Sequence, residues 1–269
     1  MTVAITIIAG IGLVAAAALA VADRYLSVKE DPRIGMVTAV LPGANCGGCG
    51  FPGCDGYARA LVAGTAPNGA CSAGGSACAE AIAGILGVEA AATEPRVALV
   101  KCCGTRSEAI RVGDYNGICD CSVAAATAGG DKGCTYGCLG YGACANACPK
   151  GAIAVVDGLA RVDKRLCIGC GRCVKACPRH IIELVPASAT VHVLCANPDK
   201  GPAVRKVCGV GCMGCRLCEK NSGGREAGHF VFQGFLAKVN YENPPTDEQI
   251  AAKCPAGCMS VDPHFESGH

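Results

Sequence analysis

The chain has 269 residues, among them 24 cysteines, 38 glycines and no tryptophan. With only 5 Phe and 6 Tyr, aromatic packing does not organise a large core, whereas bound metal clusters do so, because the free energy of metal binding counts toward folding. The formal net charge of +2 argues against a nucleic-acid-binding protein, which would carry a clear excess of basic residues.

The N-terminal segment is predicted to be a membrane anchor. Val3 to Ala22 is a run of twenty residues without a charge, long enough to cross a hydrocarbon core as a helix. A cleaved signal peptide is the alternative, but the basic residues that it needs before the apolar run are missing. Basic residues follow the run instead: Arg24, Lys29 and Arg33. By the positive-inside rule, residues 1–25 cross the cytoplasmic (inner) membrane once, with the N-terminus outside and the other domains cytoplasmic.

A glycine-rich block over residues 26–95 carries the motif C-x2-C-x4-C-x16-C. Its cysteines are Cys46, Cys49, Cys54 and Cys71. Four converging thiolates suit a [4Fe–4S] cluster, and the glycines among them let the backbone pass close to it. A zinc site is the alternative, since four thiolates also bind Zn²⁺. A small helix is predicted over Ala77–Gly87.

Residues 96–133 connect this block to the next cysteine motifs. Arg96–Val100 is rich in β-branched and aliphatic residues and predicts a short strand. The Ala- and Gly-rich stretch Ser122–Gly133 predicts a helix followed by a loop. This region also holds cysteines that belong to no complete motif.

A two-cluster ferredoxin domain is predicted over residues 134–193. The run C-x3-C-P occurs twice, ending at Pro149 and Pro178, and in two-cluster ferredoxins the last cysteine of each run ligates the other cluster. One [4Fe–4S] cluster is therefore assigned to Cys148, Cys167, Cys170 and Cys173. In the other run Tyr141 stands where a second ligand is expected, and Cys134 is the obvious substitute. The second set is therefore Cys134, Cys138, Cys144 and Cys177.

The β-branched stretches after these motifs predict hairpins. Ile153–Val162 has Asp157-Gly158 at its centre, a sequence that favours a tight hairpin turn. Ile181–Leu194 is predicted to be the equivalent hairpin of the second half. In a third copy of the repeat, Phe230–Val239 supplies the strands.

This third copy, residues 194–269, is predicted to be a degenerate module with one cluster. Three of its cysteines keep the ferredoxin spacing, but Ser222 stands where a fourth would fall. Cys254-Pro255 lies far downstream with no cysteine triplet before it. The predicted ligands are Cys212, Cys215, Cys218 and Cys254.

Eight cysteines remain outside these four sets: Cys78, Cys102, Cys103, Cys119, Cys121, Cys195, Cys208 and Cys258. Free buried thiols are one interpretation, because cysteine packs as a small hydrophobic residue. A fifth cluster is the other, since the spacing Cys208-x3-Cys212 repeats that of Cys134-x3-Cys138. The candidate ligands of a fifth cluster are Cys102, Cys121, Cys195 and Cys208.

The remaining patterns do not indicate an enzyme with its own substrate site. The tight cysteine runs differ from disulfide frameworks, which usually join distant loops. Gly209-x-Gly211-x-x-Gly214 fits a dinucleotide fingerprint but lies inside a cysteine run without the strand and helix that the fingerprint requires. The histidines are scattered: His180, His192, His229, His264 and His269. The predicted fold is α+β, with a transmembrane helix, a small four-cysteine domain and bacterial-ferredoxin-like (βαβ-type) modules.

Basic residues flank the ferredoxin ligands: Lys150, Lys164, Arg165, Arg172, Lys175 and Arg179. An ordinary solvated surface is one interpretation. The other is a docking face for an acidic ferredoxin, because complementary charge raises encounter rates.

Together these features resemble the B subunit of the Rnf electron-transport complex, in its longer form. The resemblance covers nearly the whole chain: the uncharged N-terminal helix, the run Asn45-Cys46-Gly-Gly-Cys49-Gly-Phe-Pro-Gly-Cys54 with Cys71, and the ferredoxin repeat. The chain departs from the pattern by losing the second cluster of the last module.

The resemblance implies an electron-relay subunit of a membrane-bound, ion-translocating ferredoxin:NAD oxidoreductase. Its cofactors would be four or five [4Fe–4S] clusters, its donor a soluble ferredoxin, and its other partners the remaining subunits of the complex. A ferredoxin-like subunit of a hydrogenase or a redox-sensor-reducing complex, or a carrier of iron–sulfur clusters, are the alternatives.

Overall fold

The computed structural model describes residues 2–26, 31–90, 94–127 and 129–263. Met1, Lys29, His264 and His269, to which the sequence predictions refer, lie outside these ranges. The chain begins with helix α1, Thr2–Leu26. Nowhere in the described ranges does a helix reach the combined length and hydropathy of a membrane span.

Three short helices build the N-terminal block: α2 (Pro32–Val40), α3 (Gly53–Val62) and α4 (Gly75–Leu86). Asp31 caps α2 by accepting a hydrogen bond from the Arg33 amide, and Pro32 occupies the first turn. Helix α4 ends at Gly87, whose φ of 67° is the left-handed conformation typical of a helix terminus. The helix predicted over Ala77–Gly87 is confirmed. The core of the block packs around Val37, Tyr57, Leu61 and Ile82.

The next module runs from the first strand to the fourth. Its elements are β1 (Arg96–Val100), α5 (Cys121–Ala126), α6 (Ala143–Asn146), β2 (Ile153–Val156), β3 (Leu159–Val162), α7 (Arg172–Ala176) and β4 (Ile182–Pro186). Strands β2 and β3 form a hairpin, and β1 pairs with β4 in antiparallel register, with Val97 opposite Val185. The strands and the short helices between them enclose the cysteines of this module.

The last module repeats this arrangement. Its elements are β5 (Val191–Val193), α8 (Gly201–Arg205), α9 (Leu217–Asn221), β6 (Phe230–Gln233), β7 (Leu236–Val239), α10 (Gln249–Ala252) and β8 (Met259–Val261). Strands β6 and β7 form the inner hairpin, and β5 pairs with β8 as the outer pair. All strand pairs among the described residues are antiparallel. The ferredoxin-like (βαβ-type) modules predicted from the sequence therefore contain no parallel strand pair among those residues.

The strand predictions succeed where the turn is local and fail where the partner is distant. The strand Arg96–Val100 and the hairpins in Ile153–Val162 and Phe230–Val239 are confirmed. In the first hairpin, Asp157 and Gly158 have φ values of 49° and 71°, as its tight turn requires. The hairpin predicted over Ile181–Leu194 is wrong, because β4 pairs with β1 and β5 pairs with β8.

Candidate iron–sulfur centres

The first site, site 1, lies between the loop that precedes α3 and the loop that precedes α4. It consists of Cys46, Cys49, Cys54 and Cys71. The Asn45 side chain accepts a hydrogen bond of 2.8 Å from the Cys54 amide and holds the loop closed. Burial raises the pKa of the Cys71 thiol to about 11, and the neighbouring Cys78, Cys49 and Cys46 add to this rise. Cys49, Cys54 and Cys71 pack in one cluster with Cys78, and Cys46 lies near Cys71, so the four cysteines assigned from the sequence come together.

The second site, site 2, lies between β1, β2 and α7. It consists of Cys148, Cys167, Cys170 and Cys173. Burial raises the pKa of the Cys173 thiol to about 12, with contributions from the other three cysteines. The amides of Ala98 and Ala152 point at the sulfurs of Cys167 and Cys148, at 3.4 and 3.3 Å respectively. Such N–H···S contacts favour the thiolate form that binds iron.

The third site, site 3, differs from the predicted ligand set. Its cavity of about 330 Å³, part of it open, is lined by four cysteines: Cys121, Cys138, Cys144 and Cys177. Burial raises the pKa of the Cys144 thiol to about 12, and Cys138, Cys121 and Cys177 contribute in that order. Cys134, which the sequence placed here, lines a different cavity. The structure thus brings Cys121 to this site in place of Cys134.

Helix α5 explains how Cys121 reaches site 3. Asp120 caps the helix through hydrogen bonds of 2.7 and 3.2 Å from the Ser122 and Val123 amides. Cys121 and Ala124 then pack against Leu139 and Ala143. Tyr141, at the position of the missing second ligand, donates a 2.6 Å hydrogen bond to the buried Asp131. The Tyr141 side chain therefore packs and forms a hydrogen bond, and Cys121 takes the place of the missing second ligand.

The fourth site, site 4, lies between the two ferredoxin-like modules. Its cavity of about 360 Å³, part of it open, is lined by Cys102, Cys134, Cys195 and Cys208 together with Cys103. Three of these, Cys102, Cys195 and Cys208, belong to the fifth set predicted from the sequence, whereas Cys121 lies at site 3. Cys134 and Cys208 occupy equivalent places in the repeat, four residues before Cys138 and Cys212. These equivalent positions are the sequence signal from which a site shared by Cys134 and Cys208 could have been predicted.

Polar contacts support thiolates at site 4. The Cys138 amide donates to the Cys102 sulfur at 3.4 Å, the Cys212 amide to the Cys195 sulfur at 3.3 Å, and the Asn197 amide group to the Cys134 sulfur at 3.7 Å. Cys103 instead donates to the Val210 carbonyl at 3.4 Å, and burial holds the pKa of its thiol above the usual range. Cys103 is therefore set apart from the four proposed ligands.

The fifth site, site 5, lies between β5, β7, α9 and α10. Five cysteines line its cavity of about 360 Å³: Cys212, Cys215, Cys218, Cys254 and Cys258. The first four are the predicted ligands. Burial raises the pKa of the Cys218 thiol to about 11. Cys215 is exposed, whereas the other cysteines of the five sites are buried or half-buried.

The donor sets fit a four-iron cube. Across the described stretches of the chain, no group of three or more His, Cys, Asp or Glu residues is placed to hold a single metal ion. The cysteines are instead spread around the cavities at sites 3, 4 and 5. A cube bound by four separated thiolates matches this arrangement, since Fe–S clusters are held by cysteine thiolates at their corners.

The five sites form a row in which each contacts the next. A Cβ atom on Gly48 of site 1 would lie 2.8 Å from the Cys170 carbonyl of site 2, and Ser72 donates to the Gly169 carbonyl at 3.0 Å. Cys173 of site 2 lies close enough to Cys144 of site 3 to raise its pKa. The amide contacts of Cys138 with Cys102 and of Cys212 with Cys195 join site 3 to site 4 and site 4 to site 5.

Comparison with known proteins identifies the family. Two family models match parts of the chain: "Putative Fe-S cluster" at residues 41–73 and "4Fe-4S binding domain" at residues 160–183. The B subunit of a Na⁺-translocating ferredoxin:NAD⁺ oxidoreductase complex from Acetobacterium woodii is 42% identical over 255 residues, covering 94% of this chain and 76% of that protein. The B subunit of an ion-translocating oxidoreductase complex from Methanosarcina acetivorans is 42% identical over 258 residues, covering 96% and 97%.

The chain belongs to the Rnf B-subunit family of ion-translocating oxidoreductase complexes. A third relative, the B subunit of a proton-translocating ferredoxin:NAD⁺ oxidoreductase complex from Clostridium ljungdahlii, is 45% identical over 204 residues, covering 75% of this chain and 72% of that protein. The resemblance drawn from the cysteine motifs is therefore confirmed, together with the role of an iron–sulfur subunit in a redox complex.

Not every cysteine of this Rnf B-family chain lies at a site. Cys119 is exposed. Cys78 is buried beside Cys71 of site 1, and its thiol donates to the Val40 carbonyl at 3.5 Å. His192 is also buried, and its ring contacts the Tyr241 hydroxyl at 3.0 Å and the Ala189 carbonyl at 3.2 Å, so it supports the fold.

Half of the basic residues noted in the sequence are engaged within the chain. Lys164 pairs with Asp262 at 3.1 Å and Arg165 with Asp163 at 3.5 Å. Arg179 donates to the carbonyls of Thr135 and Gly129. The other three are exposed beside site 2: Lys150, Arg172 and Lys175.

Proposed function

We propose that this chain is the iron–sulfur relay of an ion-translocating ferredoxin:NAD oxidoreductase complex, with five [4Fe–4S] clusters. The clusters supply one-electron redox chemistry, and the chain holds them in a fixed row. The five proposed ligand sets are Cys46, Cys49, Cys54 and Cys71; Cys148, Cys167, Cys170 and Cys173; Cys121, Cys138, Cys144 and Cys177; Cys102, Cys134, Cys195 and Cys208; and Cys212, Cys215, Cys218 and Cys254. The observation that carries the proposal is the unbroken series of contacts from site 1 to site 5.

The fourth site is what makes the row continuous. Cys138 of site 3 contacts Cys102 of site 4, and Cys212 of site 5 contacts Cys195 of site 4. Without a cluster at site 4, the cluster of the last module would therefore be isolated from the others. The two modules are then best divided by their outer strand pairs, which start at Arg96 and Val191. This division replaces the boundaries at residues 134 and 194 that the sequence suggested.

Electrons enter at site 5 and leave at site 1. Cys215 is the one exposed cysteine of the five ligand sets, so site 5 is the most open to a soluble donor. Site 1 belongs to the block that follows α1 in the chain, and we propose that α1 is the membrane anchor. The exposed apolar side chains of Ile11, Leu13 and Leu19 support that role, as does the uncharged run Val3–Ala22. The anchor crosses the inner membrane once, with the modules in the cytoplasm.

The number of clusters is the first test. Iron and acid-labile sulfide are measured on the full chain purified without oxygen, with electron paramagnetic resonance after reduction by dithionite. Five four-iron clusters correspond to about twenty irons per chain with equal sulfide. About sixteen irons per chain would mean that site 4 holds no cluster and that the row is interrupted. Zinc with little sulfide would overturn the proposal.

The donor is a soluble acidic ferredoxin that docks at site 5. Exposed basic residues flank its ligands there: Lys220 in α9, beyond Cys218, and Lys253 beside Cys254. Opposite charge accelerates docking and is screened by salt. The variant Lys220→Gln/Lys253→Gln should be reduced by ferredoxin several-fold more slowly at low ionic strength and show a weaker salt dependence.

The matched control removes two charges beside site 2, by Lys150→Gln and Lys175→Gln. Docking at site 5 predicts that this variant keeps the rate of the unmodified chain in stopped-flow reduction. If the control slows and the site 5 variant does not, ferredoxin docks at site 2 and the direction proposed for the row is wrong.

A further inference from the structure

Site 5 contains one cysteine more than a four-iron cluster needs. Cys258 lines the same cavity as the four proposed ligands and is only 2% exposed. Its sulfur lies 3.7 Å from that of Cys254. Each iron of a cube takes one external thiolate, and two sulfurs in van der Waals contact are too close together to bind two different irons of it. Cys258 therefore lies at the corner that Cys254 serves. Its thiol also contacts that of Cys212, whereas Cys215 and Cys218 serve the two corners without a spare thiol.

The backbone holds Cys258 firmly in that position. Cys254 and Cys258 flank a tight turn, in which the Gly257 amide donates to the Cys254 carbonyl at 3.1 Å and Gly257 has a φ of 63°. The carbonyl of Cys258 accepts a hydrogen bond of 2.7 Å from the Leu194 amide. Cys258 leads directly into β8, which pairs with β5. The second thiol is thus held by the outer strand pair of the module as well as by the turn that it shares with Cys254.

The two thiols differ in their access to solvent. Cys254 is half-buried and lies next to the exposed residues Lys253 and Pro255, whereas Cys258 is buried. Site 5 is also the site with the exposed ligand Cys215. Exposure of a ligand sulfur favours its oxidation and exchange. Cys254, the more accessible thiol, is therefore the more easily oxidised, and the buried thiol of Cys258 lies beside it.

We propose that Cys258 is a reserve ligand of site 5, able to bind the corner iron when Cys254 does not. The proposal rests on the proposed function, because it assumes a four-iron cluster at this site. The exchange forms one Fe–S bond from Cys258 in place of the bond from Cys254. The Fe–S bond of Cys254 breaks, the proton of the incoming Cys258 thiol passes to the leaving Cys254 sulfur 3.7 Å away, and no electron is transferred.

The test counts iron and acid-labile sulfide in four variants of the full chain, purified without oxygen. Cys254→Ala and Cys258→Ala should each keep the iron content of the unmodified chain, whereas the double variant should lose about four irons. Cys218→Ala is the matched control, because no spare thiol lies at its corner, and it should also lose about four irons. The iron retained at the other four sites, about sixteen, verifies that each variant is folded.

Two results would overturn the inference. One is a loss from Cys254→Ala alone, whether of the whole cluster or of one iron to leave a three-iron cluster. The other is a double variant that keeps all its iron. A Cys218→Ala variant without any loss would instead contradict the ligand set of site 5, and with it the proposed function. In Cys254→Ala, reserve ligation should also change the resonance of one cluster and leave the other resonances unchanged.

Discussion

The ammonium group of Lys132 lies beside site 4 and donates hydrogen bonds to the carbonyls of Gly104 at 2.6 Å and Cys138 at 2.8 Å. Burial raises the pKa of the thiols of Cys134 and Cys208, and the charge of Lys132 opposes that rise. A fixed positive charge favours added negative charge nearby. Lys132 should therefore stabilise the reduced form of the cluster proposed at site 4.

Replacement of this charge should lower the reduction potential at site 4. In Lys132→Met the potential of one cluster should fall by about 60 mV, which is about tenfold in the equilibrium constant of a one-electron couple. Lys132→Arg keeps the charge and should shift the potential less. Redox titration followed by electron paramagnetic resonance measures both. Equal shifts in the two variants would show that the hydrogen bonds, and not the charge, set the potential.

Helix α5 brings Cys121 to site 3, and double substitutions test whether Cys121 or Cys134 is the fourth ligand there. The structure places Cys121 and Cys138 at one site and Cys134 at another. Cys121→Ala/Cys138→Ala should therefore cost one cluster, about four irons, whereas Cys134→Ala/Cys138→Ala should cost two, about eight. The ligand set inferred from spacing predicts the reverse. Iron analysis of the two double variants separates the two assignments, and each serves as the control for the other.

Among the elements, those with local causes could be predicted from the sequence. The hairpin around Asp157 and Gly158 depends on two adjacent residues that accept positive φ values. Helix α4 ends where Gly87 permits a left-handed residue. The outer strand pairs have no such local signal. Val185 lies opposite Val97, across most of a module, so only burial of the two faces together selects that pairing.

At the scale of the whole molecule, the close approach of the N-terminal block to the next module should control electron transfer. Gly48 leaves space for the Cys170 carbonyl, and a Cβ atom there would lie 2.8 Å from that oxygen. Because the backbone carbonyl cannot move aside cheaply, Gly48→Ala should separate site 1 from site 2. The expected result is unchanged iron content and a rate of electron arrival at site 1 that is at least about tenfold lower.

Gly84→Ala in α4 is the matched control, because nothing lies within 4 Å of the added Cβ atom. Rapid-freeze electron paramagnetic resonance after mixing with reduced ferredoxin follows both variants. The control should match the unmodified chain or be slightly more stable, since Ala favours a helix over Gly by about 1 kcal/mol. An unchanged rate in Gly48→Ala would mean that electrons do not pass between sites 1 and 2.

The sequence by itself determined the family, the relay function, the helix before Gly87 and the two tight hairpins, because each depends on residues close together in the chain. Cysteine spacing also suggested complete ligand sets for sites 1, 2 and 5. Only the tertiary structure decided that Cys121 and Cys134 exchange places and that β1 meets β4 and β5 meets β8. Those contacts join segments separated by many residues. Local spacing carries no information about which distant thiol completes a site or which distant strand a given strand pairs with.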